Sequence, residues 1–292
     1  MRPEIEIIKL QAHINDESFV RAGVEQMLST MASICQGRGE HVMSFKIYPM
    51  NTGFIKSDKG VYITGGAGYG VEIEVPTWAF LVTDGKEKIL VDTGMCDTRD
   101  AGWHHPGSYQ PEGFRIDSRL EKLGVRVEEI NTVIFTHLHW DHCANMKLFV
   151  NAKYLVHAKE LAFAVAPHIL YYKSYCAKAL GAEPPFDGVE FQTVDGEFQY
   201  NSSITLFPTP GHCPGHQSVA VKTDSGMYVI AGDAVFADEN LKPDAQRNLP
   251  FTPMGRFVNV FELYDSMERI IGRADHVLTG HGEGVGVQPV YP

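Results

Sequence analysis

Several features that would assign this chain of 292 residues to a specialised class of protein are missing from its sequence. No run approaches the about 18 apolar residues that a membrane helix needs. Charged side chains also interrupt the N-terminal stretch MRPEIEIIKL, where a signal peptide would have an apolar core. The cysteines are few, odd in number and widely spaced, which predicts free thiols rather than a disulfide framework; they are Cys35, Cys96, Cys143, Cys176 and Cys213. These absences predict a cytoplasmic protein with no membrane partner.

An excess of positive charge is also missing. Lys and Arg together number 25 against 36 for Asp and Glu, which gives a formal net charge of −11. Because nucleic acid affinity rests on contacts between cationic side chains and phosphates, we expect no nucleic acid partner. The hydrophobic fraction of 44% is enough for one substantial core. Neither a linker nor a repeat divides the chain, so we predict a single domain over residues 1–292.

The first part of the chain predicts a helix followed by strands. Residues 16–35 carry apolar side chains at helical spacing, within an N-terminal helical extension over about 11–40. A surface helix packed on the core is the simplest interpretation, and a lid or a contact in a homodimer are the alternatives. Strand patterns follow, and the clearest is WAFLVTDGKEKILVDTG, in which Asp84-Gly85 predicts a tight hairpin turn. The glycine-rich stretch 60–70 has no following helix, which favours a loop over a phosphate-binding turn.

Helices and strands alternate after about residue 115. Helices are predicted over 117–123, 141–149 and 257–271, and a helical insert at about 158–185 is interrupted by Pro167. The predicted helix at 257–271 would bury a stripe formed by Phe257, Val260, Phe261, Tyr264, Met267 and Ile271. This order of elements predicts an α/β protein in which two mixed β-sheets pack face to face with helices on the outer faces, an αββα sandwich.

The stretch TVIFTHLHWDHCANM, residues 132–146, places metal-type ligands directly after a strand pattern. His137 and His139 are two residues apart, so at an extended strand end they point the same way and can bind one ion. Asp141 and His142 follow as the chain turns towards a helix, and they can reach a second ion. A single histidine is more often a packed or surface residue, but the order HxHxDH is highly specific. Three further candidate ligands each follow a predicted strand: His212, Asp233 and His281.

These motifs, in this order and each after a strand, resemble those of the metallo-β-lactamase fold hydrolases over about residues 43–284. The stretches THLHWDH and TPGHCPGHQS are most similar to the N-acyl homoserine lactone lactonase branch, which is the quorum-quenching branch of the fold. The resemblance implies two divalent metal ions per chain. One would be bound by His137, His139 and His212 and the other by Asp141, His142 and His281, with Asp233 bridging both. Such ligands suit zinc, although iron, manganese or cobalt accept the same donors.

The resemblance also implies roles for residues around the ligands. Asp92, in ILVDTG, would brace a ligand, and a strand-end cap is the competing interpretation. We expect His216 to have a hydrogen-bonding or structural role. Phe236 stands three residues after Asp233, where many acyl homoserine lactonases carry a tyrosine that binds the substrate, and a phenylalanine cannot donate that bond. Either the substrate is a different lactone or another donor replaces the tyrosine, and the insert offers His168, Tyr171, Tyr172 and Tyr175, each of which could instead pack onto the core.

The reaction that the resemblance implies is the opening of a lactone ring by hydroxide held at two metal ions, with Asp141 passing the proton to the leaving group. We therefore predict a metal-dependent hydrolase that acts on an N-acyl homoserine lactone or a related lactone. A glyoxalase II-like thioester hydrolase, a hydrolase of another small ester and a non-catalytic metal-binding protein are the alternatives. The last would be expected to have lost ligands, whereas all seven ligand positions are filled here.

Overall fold

The computed structural model describes residues 44–292, so the predicted helix at 16–35 and the extension over about 11–40 lie outside the described residues. Within the described part, Cys96, Cys143, Cys176 and Cys213 are free thiols. No helix in residues 44–292 is both long and apolar enough to span a membrane.

The first of two sheets has six strands that lie side by side in chain order. The first two strand pairs are antiparallel and the remaining three are parallel. The strands are β1 (Lys46–Asp58), β2 (Glu72–Thr83), β3 (Lys88–Val91), β4 (Thr132–Ile134), β5 (Lys153–His157) and β6 (Gln192–Val194).

The predicted hairpin is the pair β2 and β3, but its turn is longer than expected. Thr83 pairs with Lys88, so the loop spans residues 84–87. Only Gly85 adopts a positive φ, of 90°. The Asp84 carboxylate accepts hydrogen bonds from the backbone N–H groups of Lys86 and Glu87 at 2.9 and 2.8 Å. This side chain closes a wider loop, since an aspartate can bond to backbone N–H groups two and three residues further on.

The second sheet has five strands in the order β11-β10-β9-β8-β7. Its strands β10 and β11 are parallel, whereas the other neighbours are antiparallel, so both sheets are mixed. The strands are β7 (Phe198–Gln199), β8 (Ile204–Pro208), β9 (Gln217–Thr223), β10 (Gly226–Gly232) and β11 (His276–Thr279).

The main hydrophobic core lies between the two sheets, and alternation along the strands decides which residues enter it. In β2, Phe80 faces this core, whereas the next residue, Leu81, belongs to a separate cluster on the other side of the first sheet. In β10, Ile230 faces the core between the sheets and Val229 packs on the far side of the second sheet. Each sheet is therefore apolar on both faces and needs a covering layer.

Helices supply these covering layers. Ile116 and Leu120 of α2 pack in the outer cluster of the first sheet, and Leu263 and Met267 of α5 pack in that of the second. Burying each of these side chains contributes about 1.5–3 kcal/mol. The α-helices are α1 (Thr98–His104), α2 (Ile116–Lys122), α3 (Trp140–Cys143), α4 (Ala158–Val165) and α5 (Val260–Arg273). The predicted αββα sandwich is therefore confirmed.

Short single turns connect these elements. The glycine-rich stretch begins with a π-helical turn, Gly60–Thr64, and continues as a loop. The 3₁₀ turns are Val127–Glu129, Met146–Leu148, Ile169–Tyr171, Lys178–Leu180, Asp233–Val235, Asp238–Leu241 and Glu283–Gly286.

The helix predicted at 257–271 is present, but its predicted buried stripe is largely wrong, since Met267 alone of that stripe is fully buried. The helix starts later, because the N–H groups of Val258 and Asn259 bond to the carbonyl of Gly211 at 2.8 and 3.0 Å and hold this segment outside the helix. Its buried face is Leu263, Ser266, Met267 and Ile270, and Phe261 is 81% exposed. Phe257 and Ile271, which were also expected to be buried, are exposed.

The helix predicted over 141–149 is also too long. Regular helix ends at Cys143, and only a 3₁₀ turn follows. The Asn145 side-chain amide donates to the carbonyls of Thr93 and Met95, both at 2.9 Å, which ties the chain to the loop after β3. This side chain competes with helix continuation, as asparagine commonly does.

Candidate metal centre

The seven predicted ligands come together at one edge of the sandwich, each after a strand. The loop after β4 and the short α3 carry His137, His139, Asp141 and His142, and the ends of the second sheet carry His212, Asp233 and His281. All seven are between 0% and 6% exposed. They form two groups whose nitrogen and oxygen atoms lie within 4.8 Å of one another in each group.

The first group surrounds the Nδ1 atom of His139. The Nε2 atoms of His137 and His212 each lie 3.0 Å from it. One carboxylate oxygen of Asp233, Oδ2, lies 3.9 Å from His137 Nε2 and 3.4 Å from His212 Nε2. Three imidazole nitrogens and one carboxylate oxygen therefore converge.

The second group meets the other oxygen of the same aspartate. Asp233 Oδ1 lies 3.2 Å from His142 Nε2 and 3.3 Å from His281 Nε2. Asp141 Oδ2 lies 3.6 and 3.5 Å from the same two nitrogens. The two oxygens of Asp233 are thus divided between the two groups, as a ligand shared by two ions would be.

Buried atoms without hydrogen bonds test whether this set of side chains fits metal ions. Among the described residues, Asp233 Oδ1, His142 Nε2 and His281 Nε2 are buried and have no hydrogen-bond partner. Leaving a buried polar atom unsatisfied costs about 1–3 kcal/mol, so three such atoms facing one point need an explanation. A divalent cation at this point would satisfy all three, and the set of nitrogen and oxygen donors suits one.

Hydrogen bonds on the outer side of the imidazoles fix which nitrogen faces the centre. The Nδ1 atom of His281 lies 2.8 Å from the carbonyl of Pro76, and that of His212 lies 3.0 Å from the carbonyl of Arg256. Because a carbonyl only accepts, each Nδ1 carries the hydrogen, and each Nε2 presents a lone pair to the centre. Burial lowers the pKa of His212 to about 4, so its imidazole is neutral and able to ligate.

Asp92 orients two other imidazoles from the end of β3. It adopts a φ of 58°, which is uncommon for a residue other than glycine. Its carboxylate accepts hydrogen bonds from the N–H and hydroxyl of Thr136 and from Nδ1 of His142, all at 2.8 Å. The Thr136 hydroxyl in turn lies 3.1 Å from Nδ1 of His137. This one aspartate therefore supports an imidazole from each group.

The carboxylates make the second group favourable for positive charge. Burial lowers the pKa of His142, but Asp233, Asp141 and Asp92 outweigh it, so that the pKa lies well above its usual value. Burial also lowers the pKa values of His137 and His139 well below the usual value. Negative charge is therefore concentrated beside the second group, where a cation would be stabilised.

Comparisons with known proteins identify the family of the chain. Residues 73–281 match the sequence profile of the Metallo-beta-lactamase superfamily. The chain belongs to the metallo-β-lactamase superfamily. An N-acyl homoserine lactonase of Bacillus sp is 26% identical over 222 residues, which cover 73% of this chain and 83% of the relative. The N-acyl homoserine lactonase AttM of Rhizobium radiobacter is 28% identical over 264 residues, which cover 81% and 92%.

Solved structures of the superfamily have the same fold. A quorum-quenching N-acyl homoserine lactone lactonase aligns with a TM-score of 0.66 at 22% identity, over 82% of this chain and 92% of that one. AidC, a dizinc quorum-quenching lactonase, aligns with a TM-score of 0.62 at 16% identity, over 83% and 89%. At this identity the likeness shows the fold alone. Together with the sequence relatives, it confirms the family resemblance.

His216 lies next to the clusters but directs neither nitrogen into them. Its Nδ1 lies 2.8 Å from the Thr209 hydroxyl, and its Nε2 accepts a hydrogen bond from the backbone N–H of Asp233 at 3.1 Å. The preceding Gly232 has a φ of 52°, and a Cβ there would lie 2.7 Å from His216 Nε2. His216 and a glycine together set the position of the shared aspartate.

Glu160, on α4, is a residue that the sequence analysis missed. Its side chain is fully buried and accepts hydrogen bonds from the N–H of Leu138 at 2.9 Å, the hydroxyl of Tyr175 at 2.8 Å and the thiol of Cys213 at 2.9 Å. Leu138 stands between two cluster histidines and Cys213 follows a third. Glu160 therefore joins the two loops that carry the first group. In the sequence it looks like an ordinary polar residue of a helix.

A narrow cavity of about 40 Å³ opens beside both groups. Phe236 lines it and stacks on His281 with the ring centroids 4.3 Å apart. The predicted pocket residues His168, Tyr171, Tyr172 and Tyr175 are not part of this lining. The insert contributes Ser174 instead. The other lining residues outside the clusters are Ile55, Tyr62, His105, Trp140 and Arg256.

Two of the insert tyrosines have other partners. The Tyr175 hydroxyl is bonded to Glu160, and its buried ring packs edge-on against His139 with the centroids 4.6 Å apart. The Arg256 guanidinium covers the Tyr171 ring at 4.6 Å. These contacts favour packing roles for both rings.

A second, larger cavity of about 480 Å³ shares Trp140 with the narrow one. Six of its lining residues come from the last part of the insert: Cys176, Leu180, Gly181, Ala182, Glu183 and Pro185. The insert therefore faces this space through residues 176–185 rather than through the tyrosines.

Proposed function

We propose that the protein is a two-metal hydrolase that opens a lactone ring, with an N-acyl homoserine lactone as the leading substrate. The observation that carries this proposal is the division of the two Asp233 oxygens between two groups of buried ligand-type atoms. Sequence relatives named as N-acyl homoserine lactonases, which match most of the chain, support the substrate class.

The donor atoms suggest how the ligands would be shared. His137, His139 and His212 would hold one ion, and Asp141, His142 and His281 the other, with Asp233 bridging the two. Zinc is the proposed metal, although iron, manganese and cobalt accept the same nitrogen and oxygen donors. When bound, two such ions lower the pKa of a water molecule towards neutrality and polarise the carbonyl of a substrate.

Asp141 is the proposed proton carrier. Its carboxylate lines the narrow cavity as well as the second group. A carboxylate that borders both the ligands and the cavity can accept a proton and then return it. In the proposed reaction the oxygen of water bonds to the lactone carbonyl carbon and the bond from that carbon to the ring oxygen breaks. Asp141 moves a proton from the attacking water to the departing oxygen, and the product is a hydroxy acid.

The larger cavity suits the remainder of the substrate. Trp140 lines both this cavity and the narrow one, and the volume of about 480 Å³ is in the range of pockets that bind small molecules. Trp103, Trp140 and Leu180 give it apolar walls. We propose that the acyl chain enters this space, so that residues 176–185 influence the preference for chain length.

A hydrolysis screen of metal-loaded protein tests the proposal. The panel contains acyl homoserine lactones of several chain lengths, simple γ- and δ-lactones, S-lactoylglutathione and a cephalosporin, with acid release as the signal. We expect hydrolysis of lactones and its loss in Asp141→Asn. The matched control is Asp224→Asn, an exposed turn residue, which should retain activity.

Each other outcome of the screen selects an alternative. Preference for S-lactoylglutathione would favour a thioester hydrolase, and activity on simple lactones alone would favour another small ester or lactone. Inactivity of fully metal-loaded protein on the whole panel would overturn the proposal and favour a non-catalytic metal-binding protein. A cytoplasmic location and a homodimer stay predictions, which cell fractionation and analytical ultracentrifugation test.

A further inference from the structure

The Tyr62 side chain lines the narrow cavity. Its ring neighbours that of Phe236, which stacks on His281 of the second group. Tyr62 lies on the π-helical turn Gly60–Thr64 and is half-buried. Its ring centroid is 6.1 Å from that of Phe236. The glycine-rich stretch, which has no recognisable motif, thus contributes a tyrosine to the lining of the cavity.

His105 holds this phenol from α1's C-terminal end. The Tyr62 oxygen lies 3.3 Å from His105 Nε2, and the two rings meet edge to face with centroids 5.2 Å apart. Burial, together with the nearby Lys173 and Arg256, lowers the pKa of His105 to about 4, so the imidazole is neutral near pH 7. In the tautomer with hydrogen on Nε2, His105 donates to the phenol oxygen, so this contact does not use the phenol hydrogen.

The phenol stays protonated and its turn is anchored. Burial raises the pKa of Tyr62, with a smaller opposing effect from Arg256. The N–H of Gly255 donates to the carbonyl of Tyr62 at 3.2 Å, and the buried Asn240 amide donates to that of Ile63 at 2.8 Å. Because hydrogen bonds to the carbonyls of Tyr62 and Ile63 hold the turn, the Tyr62 side chain is in place before a ligand arrives.

We propose that Tyr62, positioned by His105, donates its hydroxyl hydrogen to a carbonyl oxygen of the bound lactone. Tyr62 is then a substrate-binding residue and His105 a positioning residue. The inference rests on the proposed lactone hydrolysis, and it assigns to Tyr62 a bond that Phe236 cannot make. Tyr62 and Phe236 come from distant parts of the chain, but their rings share one wall of the cavity.

Removal of one hydroxyl tests the proposal. Tyr62→Phe should keep its metal content and lower kcat/KM for the best lactone by about tenfold to a hundredfold, since a donor to a carbonyl that gains charge is worth this much or more. Calorimetry should show that the variant binds the ring-opened product more weakly. The matched control is Tyr69→Phe on the same glycine-rich stretch, whose side chain is 65% exposed and which should behave as wild type.

A swap of the hydroxyl between the two rings distinguishes donation from packing. Adding Phe236→Tyr to Tyr62→Phe should restore part of the lost kcat/KM, because the second ring borders the same cavity. His105→Phe should lower kcat/KM in the presence of Tyr62 and have little further effect in Tyr62→Phe, whereas His105→Gln, which can still donate, should retain more activity.

Comparison of an acyl homoserine lactone with simple γ-butyrolactone shows which of the two carbonyl oxygens, that of the ring or that of the acyl amide, accepts the bond. Loss on both assigns the bond to the ring carbonyl, and loss on the first alone assigns it to the acyl amide.

The outcomes separate this inference from the proposed function. If wild-type protein hydrolyses lactones and Tyr62→Phe matches it in both kcat/KM and product affinity, the inference is overturned and the lactonase proposal stands. Loss of metal from Tyr62→Phe would also overturn it, because the effect would then be structural. If no lactone is hydrolysed by the wild type and product does not bind, the proposed function fails first.

Discussion

Glu160→Ala should loosen the metal centre without touching a ligand. The Glu160 carboxylate is fully buried and accepts hydrogen bonds from Leu138, Tyr175 and Cys213, which places it between the two loops of the first group. The change to alanine leaves all three donors in the interior without their acceptor. The packed chain around α4 allows little relaxation, since a Cβ at Gly215 would lie 1.9 Å from the Glu160 nitrogen.

The expected destabilisation follows from these donors. An orphaned buried N–H or O–H costs about 1–3 kcal/mol, and a thiol costs less. The burial that raises the pKa of Glu160 offsets part of this, because the ionised carboxylate is itself unfavourable in the interior. We therefore expect Glu160→Ala to lower the free energy of unfolding by about 3 kcal/mol, which for a domain of this size lowers Tm by about 6–12 °C. Glu160→Gln keeps one acceptor oxygen and should cost about 1 kcal/mol.

Thermal unfolding of the metal-loaded variants measures this difference. Glu268→Ala is the matched control, because Glu268 is exposed on α5 and its loss removes no buried partner. We also expect Glu160→Ala to lose metal to a chelator faster than Glu268→Ala does. Equal Tm values and equal rates of metal loss for the two variants would refute the reasoning. A Glu160→Gln variant as unstable as Glu160→Ala would show that charge, rather than the number of hydrogen bonds, holds the loops.

Three further variants have expected effects. Asp92→Asn should reduce metal affinity or turnover by about 10- to 100-fold, because the bond that orients His142 is weakened; metal titration against Thr98→Ala is the check. Asp233→Asn should lower metal occupancy and kcat more than it changes KM, and retention of both ions with normal kcat would contradict the bridge. His104→Phe should reduce the loss in free energy of unfolding that occurs as the pH falls from 6.5 to 3. Burial lowers the pKa of His104 in the folded state to about 3, whereas in the unfolded chain this pKa has its usual value of 6.5. Below pH 6.5 the unfolded chain therefore binds a proton that the folded chain does not. An unchanged slope would contradict this.

The ligand set is the part of the site that local sequence describes best. His137, His139, Asp141 and His142 lie within six consecutive residues, so the bend after β4 alone brings them close together. The other three candidates could be found because each follows a strand. β8, β10 and β11 run in the same direction, so their carboxyl ends lie at the same edge of the sheet. The sandwich itself was predictable from the order of strand and helix patterns along the chain, with continuous apolar runs in segments such as β2 and β10.

The walls of the cavity were not predictable in the same way. Tyr62, His105 and Arg256 come from a glycine-rich turn, a helix end and a loop, and nothing in their local spacing indicates that they meet. Glu160 has the same difficulty, since its partners lie 15–53 residues away along the chain. Tertiary contacts between distant segments decide these positions.

The phase of α5 shows a limit of a different kind. Phe261 fits the apolar stripe read from the sequence, yet it is 81% exposed. The buried face shares only Met267 with the predicted stripe, and it is rotated by roughly a quarter of a turn about the helix axis.

Metal content per chain tests the central claim most directly. Elemental analysis of the purified wild-type protein should find about two transition metal ions per folded chain, as a shared Asp233 between two ligand groups requires. His137→Ala and His212→Ala should each lose metal together with most lactone hydrolysis, whereas His276→Ala, an exposed histidine outside the clusters, should keep both. Folded protein that hydrolyses lactones without any transition metal would contradict the account.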